Sequence, residues 1–276
     1  MLSRGNPGEW DYSPAVAQPG FHVGSVVKKN GVYYMYYQGA PDARSDDGPA
    51  FRAIGVATSA DGINFTKYSG NPIITFSSGK GINEEEEGAE FPVATLDSNG
   101  EFLLYWGANV AINQSSVDTQ LHLSTSGDGF NFTDQGLVSG IPQNSESWPL
   151  GLLRAQGGTS SVNGQWHLWY ITDALGGGYK KALAIGDAAN SFKAANSAPL
   201  VSLRRRTEPI LHTNGVVSVF ETRDRWFANR IDVMETTVNN LDTFSSPVMT
   251  FPLPTDAVFY SEFSVMRDVD AGLWRM

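Results

Sequence analysis

No cysteine occurs in the 276-residue chain, which excludes disulfides, thiolate catalysis and cysteine-ligated metal sites. Histidine is scarce too, and the four present (His22, His122, His167, His212) lack metal-ligand spacing such as HExxH. No cofactor is indicated; a structural Ca2+ is compatible with the chain but no ligand pattern points to one. Long apolar runs are missing, and with them any membrane-spanning helix. The N-terminal MLSRGNPGEW has no apolar core of a signal peptide, which fits a cytoplasmic protein or a mature secreted form. Basic residues are in deficit, with 19 Lys and Arg against 29 Asp and Glu. The resulting charge of −10 argues against nucleic acid or an anionic membrane as partner. The acidic run Glu84–Glu87 reads as a solvated loop rather than a metal site. Three glycosylation sequons, at Asn64, Asn113 and Asn131, carry little weight, because two belong to a repeated hairpin. Oligomeric state is left open.

That hairpin is what the chain does contain. TSADGINFT at Thr58–Thr66 and TSGDGFNFT at Thr125–Thr133 agree at seven of nine positions, 67 residues apart. An Asp-Gly turn followed by an aromatic, after an apolar run, predicts a β-hairpin. A second element precedes each hairpin: a turn glycine, then an aromatic and β-branched run. It occurs as GVYYMYYQG from Gly31, GEFLLYWGA from Gly100, NGQWHLWYIT around Gly164, NGVVSVFETRD around Gly215, and a shorter AGLWRM around Gly272. The glycines are spaced 69, 64, 51 and 57 residues apart. Upstream of four of them lies another short strand: HVGSVVKK, EFPVATLD, TEPILHT and SEFSVMRD. An inner strand, a Gly turn, an aromatic strand and a hairpin pair make a four-stranded unit, which is a propeller blade.

The expectation is an all-β, single-domain, five-bladed β-propeller over residues 1–276. Its blades fall near 20–76, 88–142, 148–203, 206–253 and 256–276. The third keeps its outer pair weakly, with Asp187 and Phe192; in the fourth, Phe244 takes the aromatic role. The fifth has sequence for two strands only, so the N-terminal residues 1–18 are expected to pack against it and help close the ring.

The order of YYMYYQG and ATSADGINF resembles the first blade of the five-bladed propeller glycosidases, glycoside hydrolase family 43 and the related family 32. The resemblance spans essentially the whole chain. It implies cleavage of furanosides or xylosides by three carboxylates at the axis: an Asp on the first blade as base or nucleophile, a Glu on a later blade as general acid, and a third carboxylate tuning them. This chain departs at the first, because the family's Asp falls near Val23, where there is no carboxylate. The nearest candidates are His22 and the more distant Asp11.

Counting back from the turn glycines locates the remaining slots. Ten residues before Gly100 stands Glu90, ten before Gly272 Glu262, and ten before Gly164 Arg154; seven before Gly215 stands Glu208. Glycosidic cleavage needs a carboxyl pair, one to protonate the leaving oxygen and one to attack or to activate water. Glu90, between Ala89 and Phe91, is expected in an apolar setting that suits the acid. Glu208, in an extended SLRRRTEP with Arg204 and Arg206 on its face, suits the base. Trp148 offers a ring for a sugar to stack on, His22 and His212 can hydrogen-bond hydroxyls, and Arg154 and Arg206 can grip an acidic group. The ordinary alternative for each arginine is an ion pair with a nearby glutamate. The expected site is therefore Glu90, Glu208 and Asp11 as catalytic candidates, with His22, Trp148, Arg154, Arg206, His212 and Glu262 as binding candidates. A non-catalytic carbohydrate-binding or structural propeller is the alternative.

Overall fold

The structure, a computed structural model, describes residues 2–3, 5–12, 21–40, 52–76, 88–113, 116–142, 147–155, 161–175, 180–194, 207–222, 230–241, 243–252, 264–268, 270 and 272–275. Among the described residues there is no α-helix, only a 3-10 turn at Val238–Asn240, and no helix long and apolar enough to cross a membrane. Glu84–Glu87 lie outside them.

The strands form antiparallel blades in chain order. Blade one is β1 (His22–Lys29), β2 (Val32–Gly39), β3 (Ala53–Ser59) and β4 (Thr66–Lys67). Blade two is β5 (Gly88–Leu96), β6 (Phe102–Asn113), β7 (Ser116–Ser126) and β8 (Thr133–Leu137). Blade three begins with β9 (Ser147–Leu152). The chain then leaves through β10 (Arg154–Ala155) and returns through β11 (Ser161–Val162), β12 (Gln165–Thr172), β13 (Lys180–Ala188) and β14 (Ser191–Ala194). Blade four is β15 (Thr207–Leu211), β16 (Val216–Thr222), β17 (Arg230–Thr237) and β18 (Met249–Pro252), with β10 added in parallel to β15. β19 (Met266–Asp268) and β20 (Leu273–Arg275) make a two-stranded ladder. The structure thus shows four blades, not the five predicted from the turn glycines, because only these two short strands follow the fourth sheet among the described residues.

The turns follow from the glycines. Gly31, Gly100, Gly164, Gly215 and Gly272 all have φ between 67° and 84°, a left-handed conformation that a side chain resists. In the repeated hairpins the glycine supplies the positive φ (Gly62 72°, Gly129 83°), while the aspartate works through its side chain. Asp61 accepts the amides of Ile63 and Asn64, both at 2.8 Å, and Asp128 those of Phe130 and Asn131, also at 2.8 Å. These bonds hold both carboxyl groups well below the ordinary aspartate range.

The second strand of each blade is buried on both faces, so its two side-chain sets serve two seams. In β6, Phe102, Leu104 and Trp106 pack with Val27, Tyr36, Ile54 and Val56 of blade one. Leu103 and Tyr105 pack with Leu152, Trp166, Leu168 and Tyr170 of blade three. Trp148, Trp169 and Ile171 then meet Val217 and Val219 of blade four. Ile210, Phe220, Ile231 and Val233 of blade four meet Val265 beside the ladder. Each such side chain contributes roughly 1.5–3 kcal/mol on full burial.

The seam between the ladder and blade one is different: it is polar. Asp268, fully buried, accepts from Lys28 Nζ (2.8 Å), Arg275 Nε (2.9 Å) and the Tyr33 hydroxyl, and Val26 N donates to Ser264 Oγ at 3.0 Å. The N-terminal segment was expected against the last blade. Its described part lies on blade one instead: Trp10 stacks on Tyr37 with ring centroids 5.6 Å apart, and Asp11 bonds Tyr37 and Lys67.

Candidate functional site

The inner strands lie side by side, β1 by β5, β5 by β9, β9 by β15, and β19 by β1. As edge strands β5 and β9 tolerate Pro92 and Pro149, which have no amide to donate. Register shifts interrupt β1 between Val23 and Ser25, β5 between Glu90 and Val93, and the β9–β12 ladder at Trp169 and Tyr170. A bulge twists a strand and re-aims the side chains beside it. Small residues let the bulges interlock: a Cβ on Gly24 would strike the Pro92 carbonyl, and one on Gly151 the Thr207 carbonyl.

The register shows which residues share a level. His22 lies opposite Gln38, Glu90 opposite Gly107 and Trp148 opposite Ile171, each partner seven residues after its blade's turn glycine. His22, Glu90 and Trp148 therefore occupy one slot on three successive blades. Glu208 lies opposite Phe220, five residues after Gly215. That places it about 7 Å further along the axis. Arg154 does not share the slot. The backward count passes through the β10–β11 excursion, an insertion ahead of Gly164, whereas the forward count runs along the uninterrupted second strand.

Phe91 links the three slot residues. Its ring stacks on Trp148 (centroids 5.4 Å apart, planes 23° apart) and lies 6.3 Å from the His22 ring. Its backbone is left-handed, with φ 53°, and its amide donates to Gln38 Oε1 at 3.1 Å.

Both candidate glutamates are buried and ion-paired. Glu90 (4% exposed) contacts the Arg52 guanidinium from blade one, not the apolar wall expected for it. Glu208 (1% exposed) contacts Arg154, which also donates to the carbonyls of Val265 (3.0 Å) and Val26 (3.5 Å). Arg154 thus has the ordinary role foreseen for it, tying blades one, three and four to the approach of the ladder. A third buried pair, Lys181 with Glu221, joins blades three and four, and Thr207 Oγ1 donates to the same carboxylate at 3.1 Å. Buried charges persist only when paired in this way.

Sequence reasoning missed two carboxylates. Asp118, at the tip of the β6–β7 hairpin, has its carboxyl pushed above the ordinary aspartate value, first by burial and then by the negative charge of Asp173. Asp173, just beyond β12, keeps a buried carboxylate oxygen with no hydrogen-bond partner. Neither lies near an inner-strand start in sequence, so the slot count could not reach them. The length of the β6–β7 hairpin was the available signal.

The other candidates stand apart from these inner-strand residues. Asp11 (2% exposed) is bound to Lys67 Nζ at 2.7 Å and the Tyr37 hydroxyl at 3.2 Å, and packs against Gly39, next to Gln38 and so close to the slot level but outward of the inner strand. His212 follows the end of β15, bonds Ser218 Oγ at 2.7 Å and lies 5.6 Å from the Trp274 ring. It is some 13 Å down the strand from Glu208. Arg204, Arg206 and Glu262 lie outside the described residues. Among the described residues no group of three or more His, Asp or Glu side chains could hold a metal ion.

No family profile and no curated protein matches the sequence. Solved structures do match. A glycosyl hydrolase from Bacteroides ovatus superposes with TM-score 0.62 at 14% identity, over 93% of this chain and 77% of the other. A family 117 glycoside hydrolase from Zobellia galactanivorans gives TM-score 0.59 at 16% identity, over 89% and 73%. The family 32 β-fructofuranosidase of Bombyx mori gives 0.55 at 16%, over 83% and 50%. These neighbours are glycoside hydrolases, and at such identities the likeness establishes the propeller fold alone.

Proposed function

We propose that the protein is a glycoside hydrolase-like propeller acting on a glycosidic bond of an oligo- or polysaccharide bound where its inner strands begin. One observation carries this reading: the Glu90–Arg52 pair, Phe91, Trp148 and His22 meet at the starts of three neighbouring inner strands. A sugar needs both kinds of group, an aromatic face for its C–H bonds and polar groups for its hydroxyls.

Chemically, Glu90 is the carboxylate that attacks or activates water, held by Arg52. This exchanges the role expected of Glu90 and moves Glu208 and Arg154 to the frame. His22 and Trp148 contact the sugar, with Arg206 and Glu262 assigned beside them. Asp11 and His212 stay with folding. The motifs ATSADGINF and YYMYYQG favour the family 43 and family 32 group. On that view β19–β20 is the inner half of a fifth blade and residues 1–276 form one domain. Acidic charge leaves nucleic acid and anionic membranes outside the partner set.

A screen of aryl glycosides and oligosaccharides tests the proposal. Sugar release that is lost in Glu90→Gln supports it. Release untouched by that substitution overturns the assignment. One observation favours a second reading, a binding module without turnover: the first-blade slot holds His22 rather than a carboxylate. Saccharide binding with no release from any substrate in the screen would select it.

A further inference from the structure

We infer that Phe91 is a specificity-determining platform that holds the C–H face of a pyranose ring; this rests on the saccharide-binding reading above. The observation is its backbone. Phe91 has φ 53°, a region that bulky side chains avoid and that persists only where the surroundings enforce it. Two groups enforce it here. The buried Gln38 (1% exposed) receives the Phe91 amide at 3.1 Å, and Trp148 (7% exposed) backs the ring at 5.4 Å with planes 23° apart. The conformation falls within the β5 bulge between Glu90 and Val93. Blade one passes the equivalent bulge with Val23 and Gly24 and no aromatic ring. What the left-handed turn achieves is placement: the partly buried ring packs on one side against Trp148 and the core cluster behind it, with His22 nearby and the Glu90 carboxylate one residue away.

An aromatic ring buried on one side by a second aromatic presents a rigid, flat apolar face. Pyranosides with equatorial hydroxyls carry three axial C–H bonds on one face and match such a surface. A furanoside offers a smaller, puckered one. Gln38 is then a positioning residue, since it acts on the sugar only through the Phe91 backbone.

The test is saturation-transfer NMR with the methyl β-D-xylo-, gluco-, galacto- and mannopyranosides and methyl α-L-arabinofuranoside. The wild-type protein should saturate the axial protons of a pyranoside most strongly and bind the furanoside more weakly. Phe91→Asn keeps a residue that accepts the left-handed backbone but removes the ring. It should weaken pyranoside binding at least tenfold while circular dichroism shows the fold retained at the assay temperature. Phe91→Trp should retain binding. Gln38→Met, with the ring intact, should weaken binding severalfold and blur the proton pattern. If wild type binds pyranosides and Phe91→Asn binds them equally well, the platform is wrong while the saccharide reading stands. If wild type binds none of the five, both fall.

Discussion

At the residue scale, burial changes the meaning of a conservative substitution. Glu208→Gln preserves shape, but it leaves the Arg154 guanidinium buried without its counter-charge. Breaking one half of a buried pair costs on the order of 3 kcal/mol, so the variant should melt well below wild type in a calorimeter. Unchanged melting would show that Arg154 has other compensation. Asp118→Asn should act in the opposite direction. Its carboxyl has a folded-state pKa above the unfolded value, so the ionised form opposes folding at neutral pH. The Asn variant should therefore be more stable than wild type at pH 7. The gain should disappear as the pH falls below the unfolded aspartate value, about 3.9, where the wild-type group is protonated in both states. A melting series across that range checks both sign and window.

Asp61 and Asp128 obey the reverse rule. Their folded-state values are depressed by backbone amides, so their contribution is present above the unfolded value and lost as pH falls through the folded one. Asp128→Asn should therefore flatten the acid limb of the stability curve without shifting its alkaline limb.

At the element scale, the sequence was most legible where one physical rule acts alone. The five turn glycines could be aligned because each needs a left-handed backbone, and the runs that follow could be named second strands because both their faces are apolar. The inner strands were harder to place. Their bulges and, in blade three, the β10–β11 excursion change the count between slot and turn, which is why Arg154 was put in a slot that Trp148 fills. Ion pairs between blades, such as Glu90 with Arg52 and Lys181 with Glu221, join residues 38 and 40 positions apart, and no local pattern announces them. A double-mutant cycle on the last pair measures its worth. Lys181→Met should be strongly destabilising, by roughly 3 kcal/mol, because it strands the buried Glu221. Adding Glu221→Leu should restore most of the loss. A double variant as unstable as the single one would mean that packing around the pair, rather than charge, sets the cost.

At the scale of the whole molecule, the described seams between successive blades are mainly apolar, whereas the seam between the ladder and blade one is polar, where Asp268 collects Lys28, Tyr33 and Arg275. Apolar seams gain from every buried ring, whereas a buried ionic cluster yields little net stability once desolvation is counted. The polar seam should open first. Amides of β19 and β20 should exchange hydrogen with a lower opening free energy than those of β6, and Asp268→Asn should lower it further. The account of closure fails if the ladder exchanges last.

The central claim is that a saccharide binds where the inner strands of blades one to three begin. The most direct measurement is a crystal structure of the protein soaked with a glycoside retained from the substrate screen. The account predicts a sugar ring lying on Phe91, with Trp148 behind it and the Glu90 carboxylate within about 3 Å of a sugar oxygen or of a water beside the glycosidic carbon. Sugar density at the opposite end of the axis by His212 and Trp274, or on the outer rim of a blade, would contradict it.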